Sequence, residues 1–201
     1  MAENAVIQAN SQSGDDTMKA LLAGGILGGI VLFIWGGISW VMIPWHAKTF
    51  NDFTNEAQVT QVITSSARTS GIYTLPGMSH YKNTPEKDHF NTEMKGPLVF
   101  AAIHLENSPT MKIALLKEFI IDLLAAVLVT WLVIQAKGSS YLRRVIFVTL
   151  FGLAAGVASY LPLWNWFSFS RIFTSVAMAD LVIGWFLAGL VIALVTRKAT
   201  H

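Results

Sequence analysis

Residues 20–43 read ALLAGGILGGIVLFIWGGISWVMI, twenty-four positions without a charge. About 20 helical residues cross a hydrocarbon core, and a soluble core helix of this length would carry a polar face, which this stretch lacks. It reads as a membrane-spanning helix, and everything else is placed relative to it. Gly24/Gly28 and Gly25/Gly29 form two overlapping GxxxG pairs, followed by Gly36, Gly37 and Ser39. Small residues four apart let a second helix approach closely, either one of the chain's own or a partner's.

Composition agrees with that reading. Of 201 residues, 53% are hydrophobic and only 13% charged, which points to an integral membrane protein. A formal net charge of +2, with no dense cluster of Lys and Arg, argues against a nucleic-acid partner. With no cysteine, disulfides, zinc–thiolate sites, iron–sulfur clusters and thiol catalysis are excluded. Residues 1–18 are polar and acidic (Glu3, Asp15, Asp16) and read as a disordered tail before an uncleaved signal anchor, residues 19–43.

Residues 44–111 form one long polar segment, expected to have structure of its own as a small α+β cap. Asp52 is placed to cap a short helix running to about Ala67, with Phe53, Val59, Val62 and Ile63 on its apolar side. Gly71–Leu75 and Pro97–Leu105 read as two strands of a possible hairpin, joined by a polar and mobile loop from Gly77 to Gly96. Three further apolar runs follow, giving spans at 112–136, 145–163 and 172–196. A basic loop, 137–144, joins the first two of these, and an aromatic turn, 164–171, joins the last two. The expected class is thus an all-α integral membrane protein with four transmembrane helices.

Short loops rich in Lys and Arg stay in the cytoplasm. Lys19, Lys137, Arg143, Arg144, Arg197 and Lys198 then lie on one side. Both termini, including the short tail 197–201, are cytoplasmic, and 44–111 is periplasmic or otherwise extracytoplasmic. Short loops and the lack of an N-x-[ST] acceptor suit a bacterial inner membrane.

The acidic residues inside the spans are the most informative for function, since a carboxylate in hydrocarbon costs at least about 2.5–3.5 kcal/mol. Asp122 lies ten residues after Lys112, and Asp180 nine after Arg171. At 1.5 Å per residue both reach roughly 13–15 Å below the same surface. One reading is a protonatable pair or cation site approached by Lys117, Glu118 and Arg171, with Glu118 pairing to Lys117 or Arg171. The other is that each aspartate is hydrogen-bonded to a neighbouring helix, for which Ser39, Thr130, Ser159, Thr174 and Ser175 are available. Trp45 and His46, with Trp164 and Trp166, mark an outer-face or interfacial site. His80, His89, His104 and Glu106 have no metal-ligand spacing, and no metal or other cofactor is expected. Gly152, Gly156 and Gly184 repeat the close-packing signal in the later spans.

No GxSxG elbow, phosphate loop or dinucleotide fingerprint is present, so no catalytic residue is assigned. The leading expectation is a non-enzymatic accessory, assembly or stabilising subunit that contacts lipid and a membrane-protein partner or a second copy of itself. The alternative is a proton- or cation-coupled transporter or membrane factor using Asp122 and Asp180. A lipid-modifying enzyme around His46, Lys117, Glu118 and Arg171 has no motif behind it.

Overall fold

The computed structural model describes residues 2–77, 96–136 and 138–197. The chain is mostly helical. Helix α1 spans Ala2–Gly37 and runs on through a π-helical turn, Ile38–Met42, and a 3-10 turn, Ala47–Thr49. Then come α2 (Glu56–Ser66), β1 (Gly71–Leu75), β2 (Val99–Ile103), α3 (Met111–Gln135), α4 (Tyr141–Phe167) and α5 (Arg171–Val195). Three helical stretches, Gly14–Met42, Tyr141–Phe167 and Arg171–Val195, are long and apolar enough to cross a membrane.

Five expectations are corrected in detail. The first eighteen residues are not a disordered tail, because α1 starts at Ala2. Its first turns are rich in Ala, Glu and Gln, and extending an existing helix avoids the cost of nucleation. Asp15 and Lys19, one turn apart, add an exposed pair at 2.5 Å. The cap of α2 is Asn55, not Asp52: its side chain accepts from Gln58 N at 3.0 Å. That start places Glu56, Ala57 and Gln58 in the first turn instead of the poorer helix formers Phe53 and Thr54.

The basic loop 137–144 is shorter than expected. Ser140 caps α4 by accepting from Arg143 N, so Arg143 and Arg144 lie in its first turn and Arg144 is only 2% exposed. The span expected at 145–163 therefore extends at both ends, to Tyr141 and Phe167. Most of the aromatic turn is helix as well: α4 continues through Pro162 to Phe167 and ends at Ser168, whose φ of 58° gives a left-handed terminus. The expected loop histidines His80 and His89, with Lys82, Lys87 and the acidic residues between them, lie outside the described residues, as do Lys137 and Lys198.

The strands pair antiparallel, with Gly71 opposite Ile103 and Leu75 opposite Val99. Leu105 N donates to Ser70 Oγ at 2.9 Å just beyond the pair. Phe100 of β2 packs its ring 4.3 Å from Phe167 and 6.3 Å from Phe169, so the sheet rests on the α4–α5 turn. This is the sheet end of the bundle, where α1 finishes and α5 begins.

The long helices lie in the order α3, α1, α5, α4, each packed chiefly on its neighbours in that order. Glycines set the spacing. A Cβ on Gly29 would fall 2.8 Å from Leu123 Cα and 3.0 Å from Leu123 N, and one on Gly28 would fall 2.9 Å from Ile192 Cδ1. Gly24 and Gly25 abut Thr130 and Val127 in the same way. Farther across, Gly152 receives Trp185, Gly156 receives Met178, and Gly184 receives Trp35. The core between these contacts contains Val129, Val133, Val148, Trp185, Ala188 and Ile192.

Gly29→Ala should separate α1 from α3, because the clash is with backbone and cannot be relieved by a rotamer. A loss of about 1–3 kcal/mol is expected. Gly36, with nothing within 4 Å of its would-be Cβ, provides the control. Gly36→Ala should be neutral or stabilise the helix by up to about 1 kcal/mol. Thermal unfolding of both variants in the same detergent measures the difference.

Candidate functional site

The site begins with a break in hydrogen bonding at the end of α1. Pro44 has no N–H, so the carbonyl five residues earlier in a π-helical pattern, that of Ser39, loses its backbone donor. The preceding bond of the pattern does form, from Ile43 N to Ile38 O at 3.1 Å. The Ser39 carbonyl is capped instead by the indole of Trp45, whose Nε1 donates to it at 3.1 Å and lies 3.0 Å from Ser39 Oγ. Reaching that position folds the chain back against the helices and carries His46 with it. Thr49 then closes the turn, donating from both N and Oγ1 to the His46 carbonyl at 2.9 and 2.8 Å.

Asp180, nearly three turns into α5, receives this folded segment. Ser39 Oγ donates to Asp180 Oδ1 at 2.6 Å, and Trp35 Nε1 donates to the same oxygen at 2.7 Å. His46 Nε2 stands 3.3 Å from Asp180 Oδ2 and 3.1 Å from Ser39 Oγ. The serine has one proton and uses it on Asp180, so both contacts of Nε2 are attractive only when that nitrogen carries hydrogen. The network therefore assigns His46 the Nε2–H form. Both carboxylate oxygens accept, and every donor around them comes from α1 or the segment after it.

The surroundings are aromatic. The His46 ring stacks on Trp40 with centroids 3.9 Å apart and planes 7° from parallel. Trp45 meets it edge-on at 5.5 Å, and Trp35 in turn stands perpendicular to Trp45 at 6.2 Å. Ser39 is fully buried and His46 is 3% exposed. Serine, histidine and aspartate thus meet, but not in the relay of a hydrolase. There the imidazole uses one nitrogen for each partner, whereas here a single nitrogen faces both and the serine donates straight to the carboxylate. The geometry binds a positive or donor-rich group at Asp180 and leaves Ser39 unactivated.

The remaining residues singled out from the sequence are dispersed. Asp122 is half-buried on α3 and makes no hydrogen bond or ion pair with Asp180 or with any other described residue. Helix α1 lies between the two aspartates' helices, so equal distance from the helix start does not make them neighbours. Lys117 and Glu118 are exposed on α3 and Arg171 is exposed at the first position of α5, and none of the three joins the network. Glu118 pairs with neither Lys117 nor Arg171. Trp164 and Trp166 are exposed in the last turn of α4. Among the described residues no three His, Asp or Glu side chains converge as metal ligands would.

Trp35 and the stacking role of Trp40 were missed in the sequence. The i, i+4 spacing of Trp35 and Ser39 was their available signal, since it places both donors on one face of α1. No family model, curated protein or solved structure matches the chain.

Trp35→Phe removes the indole donor while keeping an aromatic ring against Gly184. It should cost about 2 kcal/mol, the range for a bond to a charged acceptor. Trp40→Phe removes no hydrogen bond and should cost less, about 0.5–1 kcal/mol of ring stacking. Equal losses in a melting comparison would contradict the hydrogen-bond account.

Proposed function

We propose that the chain is a four-span protein of a bacterial inner membrane, with both termini cytoplasmic and residues 44–111 on the outer side. It acts there as an accessory, assembly or stabilising subunit of a membrane complex. In this reading α3 is the fourth span, entering from the outer side like α5.

The observation that carries the reading is the condition of the first half of α3. Every residue from Met111 to Glu118 is exposed, and Lys117, Glu118 and the half-buried Asp122 make no bond to a described residue. Ile113, Leu116, Ile120, Ile121 and Leu124 are exposed around them. Uncompensated charges one to three turns inside a span are costly in lipid, whereas polar groups supplied by a neighbouring helix offset that cost. The paired glycines of α1, Gly24, Gly25, Gly28 and Gly29, are already occupied by α3 and α5. The partner is therefore assigned to α3.

A second reading, a proton- or cation-coupled membrane factor, draws on a different pair from the one expected. The close pair is His46 and Asp180, at 3.3 Å, and not Asp122 and Asp180.

The chain lacks cysteine, so single cysteines placed in native membranes test the assignment cleanly. Leu116→Cys or Ile120→Cys should cross-link to another membrane chain or to a second copy, while Leu142→Cys and Leu150→Cys on the exposed face of α4 should not. A monodisperse monomer in mild detergent, with position 116 reacting no faster or slower than the α4 controls and no cross-link, would sink the reading.

A further inference from the structure

The surroundings of His46 resemble those of a bound ligand more than those of a core side chain. One edge of the ring faces a carboxylate, one face lies flat on an indole, and a second indole closes the side. A carboxylate with aromatic faces around it is the combination that recognises organic cations: the carboxylate supplies charge and hydrogen-bond acceptance, the indoles supply quadrupole attraction and a flat contact. We infer that Asp180, Ser39, Trp35 and Trp40 form a binding site for a small planar organic cation of the imidazolium or guanidinium type, with His46 serving as the chain's own occupant.

Two further features set this apart from an ordinary buried histidine. The segment that delivers His46 is not a regular helix, and its neighbours Pro44, Ala47, Lys48 and Phe50 are all exposed. Its attachment is concentrated in the His46 and Trp45 side chains and in the ring of Phe50, 6.0 Å from Phe173. Withdrawal would therefore uncover little apolar core. The receptor half of the site is also built independently of the segment, since Trp35 and Ser39 on α1 hold the Asp180 carboxylate through their own bonds. With His46 withdrawn, Asp180 Oδ2 and the face of Trp40 are the groups left for a ligand. The inference stands whether or not a partner covers α3.

His46→Gly in the full-length chain tests it, with imidazolium, methylguanidinium and the neutral, equally shaped ring thiazole as probes. The variant should melt below the parent protein. Imidazolium and methylguanidinium should restore its melting temperature saturably at millimolar concentration, thiazole should not, and adding Asp180→Asn should weaken the cations by roughly tenfold or more. Equal rescue by thiazole would mean that the space is merely a cavity, and no rescue by any probe would mean that His46 is a fixed structural post. Either result overturns the inference.

Should the glycine variant fail to fold, the unaltered chain gives an independent readout. Methylguanidinium competing with His46 should change the near-ultraviolet circular dichroism of the Trp40 stack saturably, beyond the effect of sodium chloride at equal ionic strength. A spectrum insensitive to methylguanidinium overturns the inference as well.

Discussion

A carboxylate nearly three turns inside an apolar helix has to be supplied with donors, and the sheet end of this bundle is arranged by that requirement. Helix α5 itself offers Asp180 nothing, because its backbone donors are spent within the helix. The donors come from α1 and its continuation: Trp35 and Ser39 on consecutive turns, then His46 from the returning chain. For Ser39 and His46 to meet at one carboxylate, α1 has to stop where it does. Pro44 supplies the stop, the π-helical turn takes up the lost register, and the Trp45 indole covers the carbonyl that Pro44 leaves bare. The requirement of one side chain thus accounts for the path of about a dozen residues on another element.

The same economy governs the other half of the bundle in an apolar form. Along α1 the glycines bring α3 close on one side, and Gly184 of α5 receives Trp35 on the other. Trp35 therefore serves two functions, filling the notch at Gly184 and donating to Asp180. This links the close-packed interface to the polar one. The core below, from Val129 to Ile192, lies between helices whose separation is already set at these points.

Much of this was legible in the sequence, and the limits have physical causes. The long apolar helices, the strand at Gly71–Leu75 and the close approach at Gly24 to Gly29 follow from length, turn residues and residue size, all local properties. Asp180 stood out because a charge in an apolar run is conspicuous. Its partners did not. His46 lies on a segment with no periodicity to orient it, and equal depth suggested Asp122, which the position of α1 between α3 and α5 rules out as a neighbour. The helical state of residues 2–18 was obscured by polarity, since composition reports on burial better than on backbone conformation once a neighbouring helix has already been nucleated. Trp164 and Trp166 were assigned to a turn because the apolar run fades after residue 163, but the helix continues to Phe167, and Pro162 so near its end removes only one bond.

The distance in sequence between the two halves of the carboxylate network has a consequence for how the protein is made. Trp35 and Asp180 are 145 residues apart, so α1 leaves the ribosome with its donors facing outward and its terminal turn unsupported long before the carboxylate exists. The fold at the end of α1 is thus completed only by α5, and a chain interrupted before α5 would retain the α1–α3 interface while the Trp35, Ser39 and His46 donors had no acceptor. Such a fragment would carry three polar side chains near the end of an apolar helix with nothing to receive them, a burden lifted only when α5 has been made.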